Sequence, residues 1–348
     1  AMLEKMINER NLPKLSEREK MLEILQREEY GFIPPKPDKF TFTEEKDIVP
    51  NFCAGKASLS KIMLSSEING KIFSFPMYAA IPEADGKIPF FVHINFRSCV
   101  PDRYMPTEEL IDNGFAVLSF NYEDVTTDDG DFTSGLAGII FPEGKRTERA
   151  PGKIALWAWA AMRCMDYAES NPQLDCKRSV VCGHSRLGKT ALLTGAFDER
   201  FAFSYSNDSG CSGTALSRGK TGETISDICG RFPFWFCEKY KTYAGNEAEL
   251  PFDQHFLLAA TAPRFAYVAS AAEDLWADPV SELLCCAAAS RDFIKNNAAE
   301  LSGAENIGES RNLHGDRIGY HIRRGKHYFS REDWNRFISF FRYKTDIE

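Results

Sequence analysis

The spacing of apolar positions changes period several times along the chain, and each change marks an element. Around residues 16–30 the apolar positions recur at helical spacing. Ser16 and Glu19 form a capping-box pattern there, which predicts a helix running to about Tyr30, where Gly31 and Pro34 end it. Strand-like runs follow at Lys71 to Ile81, Ile88 to Ile94 and Phe115 to Phe120. The last two are apolar enough to predict strands buried on both faces. Gly152 to Ala168 is apolar nearly all round, with Trp157, Trp159 and Met162, as suits a helix wedged between a sheet and other elements. Ser179 to Cys182 reads as a strand and Thr190 to Phe197 as the helix after it, while Phe265 to Ala269 and Ile318 to Ile322 read as late buried strands. Ser330 then caps a helix whose Trp334, Phe337, Ile338 and Phe341 fall at i, i+3, i+4 and i+7. Strands alternating with helices predict an α/β fold: a mostly parallel central sheet with helices on both faces. No linker, repeat or low-complexity block divides the pattern, so residues 1–348 are expected to form one catalytic domain with residues 1–35 as an N-terminal helical extension.

Composition narrows the function classes. A chain of 348 residues, 43% hydrophobic and 13% aromatic, can bury a large core. Its net charge of −8 argues against nucleic acid and against anionic membranes as partners, and a monomer is expected. No apolar run approaches the roughly 20 residues needed to cross a bilayer. Residues 1–30 are charged and helical in pattern, so no signal peptide is visible; Ala1 ahead of Met2 reads as a cloning remnant. Most of the ten cysteines sit inside apolar runs, such as Cys182 and the pair Cys285 and Cys286, where thiols behave as small hydrophobes. A cytoplasmic location is therefore favoured, with a secreted protein whose leader has been trimmed as the alternative. There is no C-x-x-C, and the six histidines show no zinc-like spacing, so no metal or other cofactor is expected.

The densest chemistry lies in Gly183-His184-Ser185-Arg186-Leu187-Gly188-Lys189-Thr190, which fits two unrelated motifs. As G-x-x-x-x-G-K-T it matches a phosphate-binding P-loop, with Lys189 for the terminal phosphate and Thr190 for magnesium. That cradle prefers small residues, whereas His184, Arg186 and Leu187 are bulky. A P-loop also usually opens its domain, and the apolar run Phe201 to Tyr205 reaches Asp208 only through Ser206 and Asn207, a poor Walker-B partner. Read instead as a serine on a sharp turn between strand and helix, the segment is a nucleophile elbow. That reading demands an acid and then a histidine downstream. Both exist: Phe265 to Ala269 leads into Glu273 and Asp274, and Ile318 to Ile322 leads into a loop ending at His327. Ser185, Asp274 and His327 would then share the carboxyl edge of the sheet, where α/β active sites lie. The pattern departs from G-x-S-x-G, because Leu187 stands where the second glycine belongs; Gly188 must take over the close approach.

Five segments carry a family resemblance: Gly183 to Thr190, Asn207 to Arg218, Gly222-Glu223, Asp274 to Pro279, and Ile318 to His327. In this order they resemble bacterial glucuronoyl esterases of carbohydrate esterase family fifteen, over roughly residues 90 to 345. The resemblance implies an α/β-hydrolase fold and cleavage of the ester between glucuronic acid side chains of xylan and alcohols of lignin, so that the partner is a glucuronate ester or a glucuronoxylan-derived oligosaccharide. It implies Ser185 as nucleophile, His327 as base and Arg186 as oxyanion donor, with sugar contacts from Lys189, Glu223 and Trp276. Fungal members carry their acid about two dozen residues after the serine, where this chain has the shorter Asp208. Many bacterial members use the position of Asp274. Asp274 is favoured here, with Asp208 assisting. Fungal members also place cysteines at the positions of His184 and Tyr328, so their disulfide is absent here.

Blander roles compete for several of these residues. Ser185 could be a helix N-cap, and Arg323, Arg324 and Lys326 a solvated charge cluster with His327 among them. Asp278 before Pro279 reads as a helix cap. Trp235, in Phe232-Pro233-Phe234-Trp235-Phe236, is core or pocket wall, and His93 and His255 read as packed core histidines. An acetyl or feruloyl carbohydrate esterase on the same triad, a silent carbohydrate-binding homologue and the P-loop NTPase remain as alternative functions.

Overall fold

Six strands largely buried on both faces lie parallel and side by side in the computed structural model, which describes residues 2–297 and 311–345, leaving Ala1 outside. In chain order the strands are β1 (Lys39–Glu45), β2 (Ala57–Ile68), β3 (Lys71–Pro82), β4 (Ile88–Asn95), β5 (Ala116–Asn121), β6 (Leu174–His184), β7 (Phe203–Asn207), β8 (Phe265–Ala271), β9 (Arg311–His314) and β10 (Ile318–Arg323). They form one ten-stranded sheet in the order β1-β2-β3-β5-β4-β6-β7-β8-β10-β9. The stretch from β5 to β10 is parallel, and β1, β2, β3 and β9 pair antiparallel at the two ends. This is an α/β-hydrolase type of sheet.

Helices cover both faces, as the sequence predicts. Chain order gives α1 (Met2–Glu9), α2 (Arg18–Leu25), α3 (Lys153–Ser170), α4 (Arg186–Phe197), α5 (Pro279–Ala289) and α6 (Arg331–Thr345) among the described helices that matter here. Successive strand residues point to opposite faces. Phe90, Val92, Leu118 and Val181 accordingly pack with α3, α4 and α5, while Phe91, Val117, Val180 and Phe203 pack with Trp334, Phe337 and Phe341 of α6. In α6 the capping is reciprocal: the Ser330 hydroxyl donates to Asp333, and the Asp333 N–H donates back at 3.2 Å.

Three expectations change. The capping box at Ser16 does not form, because α2 starts one residue later, with Glu17 at its N-cap and no side-chain cap bond. The helix also widens into a π turn over Gln26–Tyr30, and Leu22, Leu25 and Tyr30 lie in the main core. The sequence patterning does not predict strands β1, β2 and β9; β1 is exposed except at the half-buried Phe40, so its sequence carries almost no buried face to read.

Candidate active site

The chain direction of the sheet assembles the site. Strand order reverses at β4, and the neighbours β6, β7, β8 and β10 end together, with His184 opposite Asn207 and Ala271 opposite Arg323. A crevice at such a switch point is where ligands bind in open α/β sheets. Ser185 follows β6 directly, Asp208 follows β7 directly, and Asp274 and His327 follow β8 and β10 by short loops.

Ser185 sits at φ 59° and ψ −125°, a left-handed conformation costly for a residue with a Cβ, and serves as the N-cap residue of α4. The turn is pinned by the Ser185 N–H, which donates to the Asn207 carbonyl at 2.9 Å. Gly183 is required, because a Cβ there would lie 2.2 Å from the Leu187 carbonyl oxygen. Gly188 takes over the second close approach: its Cβ would meet Ser206 Oγ at 2.9 Å and the Asn207 carbonyl at 3.1 Å on β7. Leu187, freed of that duty, is buried in the core. The geometry is an elbow, not a phosphate cradle. The Lys189 ammonium donates to the Ser209 carbonyl and the Thr190 hydroxyl turns back to the Arg186 carbonyl at 2.9 Å, so the P-loop reading is overturned.

His327 Nδ1 lies 2.6 Å from Asp274 Oδ2. Asp208 Oδ2 is 4.0 Å from the same nitrogen and instead accepts from the Tyr328 N–H at 3.2 Å. The ligand atoms of Asp208, Asp274 and His327 all lie within 4.8 Å of one another. Burial, with Asp333 and Glu282 nearby, pushes the Asp208 carboxyl well above the usual carboxylate range, and its Oδ1 has no hydrogen-bond partner among the described residues.

The loop that carries His327 is braced from beneath. The solvated-cluster alternative does not hold for Arg323, which is 4% exposed. Its guanidinium bonds Asp333 at 2.8 Å and donates to the Lys326 and Tyr328 carbonyls at 3.2 and 2.7 Å. Arg324 and Lys326 are exposed, as expected. Burial alone would raise Asp333, but the bond from His321 and the charge of Arg323 hold it down at about 2. His184 lies beside His327, their ring centroids 4.4 Å apart, and its Nδ1 meets Asn207 Oδ1 at 2.7 Å. Burial, aided by His327, keeps its pKa well below the ordinary range, so no second imidazolium competes there.

All eight residues singled out in the sequence line one cavity of about 310 Å³: Ser185, Arg186, Lys189, Asp208, Glu223, Asp274, Trp276 and His327. Lys189 is buried, and burial lowers its pKa while Glu223 opposes the shift. Glu223 is held by its N–H on the Trp276 carbonyl at 3.0 Å. Trp276, 47% exposed, offers a flat face at the rim. Trp235 proves to be wall, stacked on Phe232 with centroids 3.9 Å apart. Asp278 is the N-cap of α5, accepting from the Ser281 N–H, and His93 and His255 are buried, as read.

Sequence reasoning missed Phe232 and Arg231 on the cavity wall, Asp128 behind it and Glu282 beneath it. Phe232 lay in a noted aromatic run. Glu282 left a signal, a single carboxylate in the otherwise apolar first turns of α5. It accepts from the Gly210 N–H at 2.9 Å, from the Thr214 hydroxyl at 2.8 Å and from Ser270, tying the loop after β7 to strand β8. Burial pushes its pKa up to about 7 from an ordinary 4.5. The unfolded chain therefore loses this proton first as pH rises, and the folded state loses stability through the interval up to about 7. Glu282→Gln mimics the protonated form, so its melting temperature should fall less than that of the parent between pH 5 and pH 7.5. Parallel melting curves for the two proteins would refute that linkage.

The chain resembles known proteins over most of its length. A family model described as glucuronyl esterase, fungi, matches residues 64–295. Carbohydrate esterase MZ0003 from an unknown prokaryotic organism is 41% identical over 238 residues, 67% of this chain and 54% of its own length. The 4-O-methyl-glucuronoyl methylesterase of Podospora anserina is 27% identical over 296 residues, 82% of this chain and 57% of its own length. The chain thus spans little more than half the length of these curated relatives. Among solved structures, a glucuronoyl esterase from Solibacter usitatus superposes with a TM-score of 0.81 at 30% identity, covering 94% of this chain and 91% of that one. A promiscuous esterase of carbohydrate esterase family 15 from a marine bacterial metagenome gives 0.79 at 28% identity, covering 93% and 90%.

Proposed function

The chain belongs to the glucuronyl esterases of carbohydrate esterase family fifteen, and from that premise we propose that it is a serine esterase acting on esters of glucuronic acid or its 4-O-methyl ether, as in lignin–carbohydrate linkages of glucuronoxylan. One observation carries the reading: a serine at a strained strand-to-helix elbow shares a cavity with an imidazole whose other nitrogen is held by a carboxylate at 2.6 Å.

The chemistry follows from those groups. With Nδ1–H donated to Asp274, His327 presents Nε2 to take the Ser185 proton as Oγ attacks the ester carbonyl carbon. The carbonyl π electrons move to oxygen, giving a tetrahedral oxyanion. Its collapse breaks the bond to the alcohol, which leaves with the proton from His327. Water, activated by the same imidazole, then cleaves the acyl-enzyme to release the uronate and restore Ser185.

The oxyanion needs donors at the start of α4. The Arg186 N–H, first in the helix, has no acceptor one turn back, and its guanidinium lines the same cavity. Arg186→Ala should lower kcat on the order of 10²–10³ with little change in KM; a change confined to KM would remove Arg186 from the oxyanion role. Lys189, Glu223 and Trp276 are assigned to the sugar, with the indole face against the pyranose ring.

No helix among the described residues is long and apolar enough to cross a membrane. The acyl specificity is decided by comparing hydrolysis of benzyl glucuronate with that of acetylated and feruloylated sugars. Faster turnover of the acetyl or feruloyl esters would replace the uronate assignment while leaving the serine mechanism intact.

A further inference from the structure

Behind the cavity wall, one carboxylate organises the groups that face Ser185. Asp128 has a side chain only 7% exposed. Its Oδ2 accepts from Arg186 Nη1 and from the Tyr122 hydroxyl at 2.8 Å, and its Oδ1 accepts from Trp235 Nε1 at 2.7 Å. The guanidinium it holds lies 4.7 Å from the centre of the Trp235 ring, which in turn stacks on Phe232. An arginine side chain has many rotamers and loses considerable freedom when fixed. Here a carboxylate and an indole hold it, in a residue that lines the cavity.

We propose that Asp128 is a positioning residue that sets the Arg186 guanidinium where charge develops on the ester oxygen. The proposal rests on the reading of Ser185 as nucleophile and Arg186 as donor. Asp128 touches no reacting atom and acts only through Arg186. Its effect must therefore appear in kcat, and must vanish once Arg186 is gone.

A double-mutant cycle on benzyl glucuronate tests this directly. Asp128→Asn keeps the size of the side chain but turns an amide N–H toward the guanidinium. It should lower kcat about tenfold, less than the on the order of 10²–10³ expected for removing Arg186 itself, with KM within about twofold. In an Arg186→Ala background the same substitution should change kcat by less than about twofold. A merely structural aspartate would lower kcat by the same factor in both backgrounds, and that multiplicative result overturns the proposal. So does a wild-type kcat for Asp128→Asn beside an impaired Arg186→Ala, which leaves the oxyanion reading standing. A wild-type kcat for Arg186→Ala overturns both. Should Asp128→Asn not fold, Tyr122→Phe removes a hydrogen bond from the same carboxylate oxygen and is run through the same cycle. A small kcat loss that disappears without Arg186 supports the proposal, and an equal loss in both backgrounds ends it.

Discussion

Ser185→Ala should lower kcat on benzyl glucuronate on the order of 10⁶-fold and abolish labelling by a serine-directed phosphonate. The size of the fall follows from the chemistry, since without Oγ no acyl-enzyme forms and His327 has no proton to remove. Residual turnover on the order of 10³–10⁴ over the uncatalysed reaction should remain, because donors at the start of α4 still polarise the carbonyl for direct attack by water. His327→Ala should lose about as much, and the double variant little more, since the two residues act as one unit. The strained φ of 59° makes a second measurement informative. Relief of strain by Ser185→Gly should raise the melting temperature while activity is lost, the pattern of a backbone held for function at the expense of stability. Persistent phosphonate labelling of Ser185→Ala would locate the nucleophile elsewhere.

Much of this site was legible before any coordinates, and the reason is topological. Parallel strands buried on both faces announce themselves as apolar runs, and their carboxyl ends share one edge of the sheet. A serine, an acid and a histidine that each follow such a run must therefore meet. Asp128 escapes that logic. It lies in the acidic run Asp128-Asp129-Gly130-Asp131, which reads as a solvated loop, and its partner Arg186 is 58 residues away. Arg323 was misread for a related reason. A cation in a basic loop is usually solvated, and only the fold places Asp333, the N-terminal carboxylate of α6, against it. The missing glycine at Leu187 was correctly identified as a problem with a solution. Gly188 makes the close approach to β7 instead, its position meeting Ser206 and the Asn207 carbonyl.

Asp274→Ala should cost kcat on the order of 10⁴, and Asp208→Ala only about tenfold. The difference is one of position and charge. Asp274 Oδ2, 2.6 Å from Nδ1, fixes the tautomer that leaves Nε2 free for the serine, and it stabilises the imidazolium as the proton arrives. Asn at 274 would present an N–H to that nitrogen and favour the wrong tautomer, so Asp274→Asn should be no better than alanine. Asp208, at 4.0 Å from Nδ1, is fully buried beside Asp333 and Glu282, which favours its neutral form. At that distance it makes no direct bond to the imidazole; its bond to the Tyr328 N–H instead anchors the residue after His327. Asp208→Asn keeps that acceptor and should therefore retain more activity than Asp208→Ala. The opposite ranking, an active Asp274→Ala and an inert Asp208→Ala, would move the acid to the end of β7, where Asp208 Oδ2 lies 4.0 Å from His327 Nδ1.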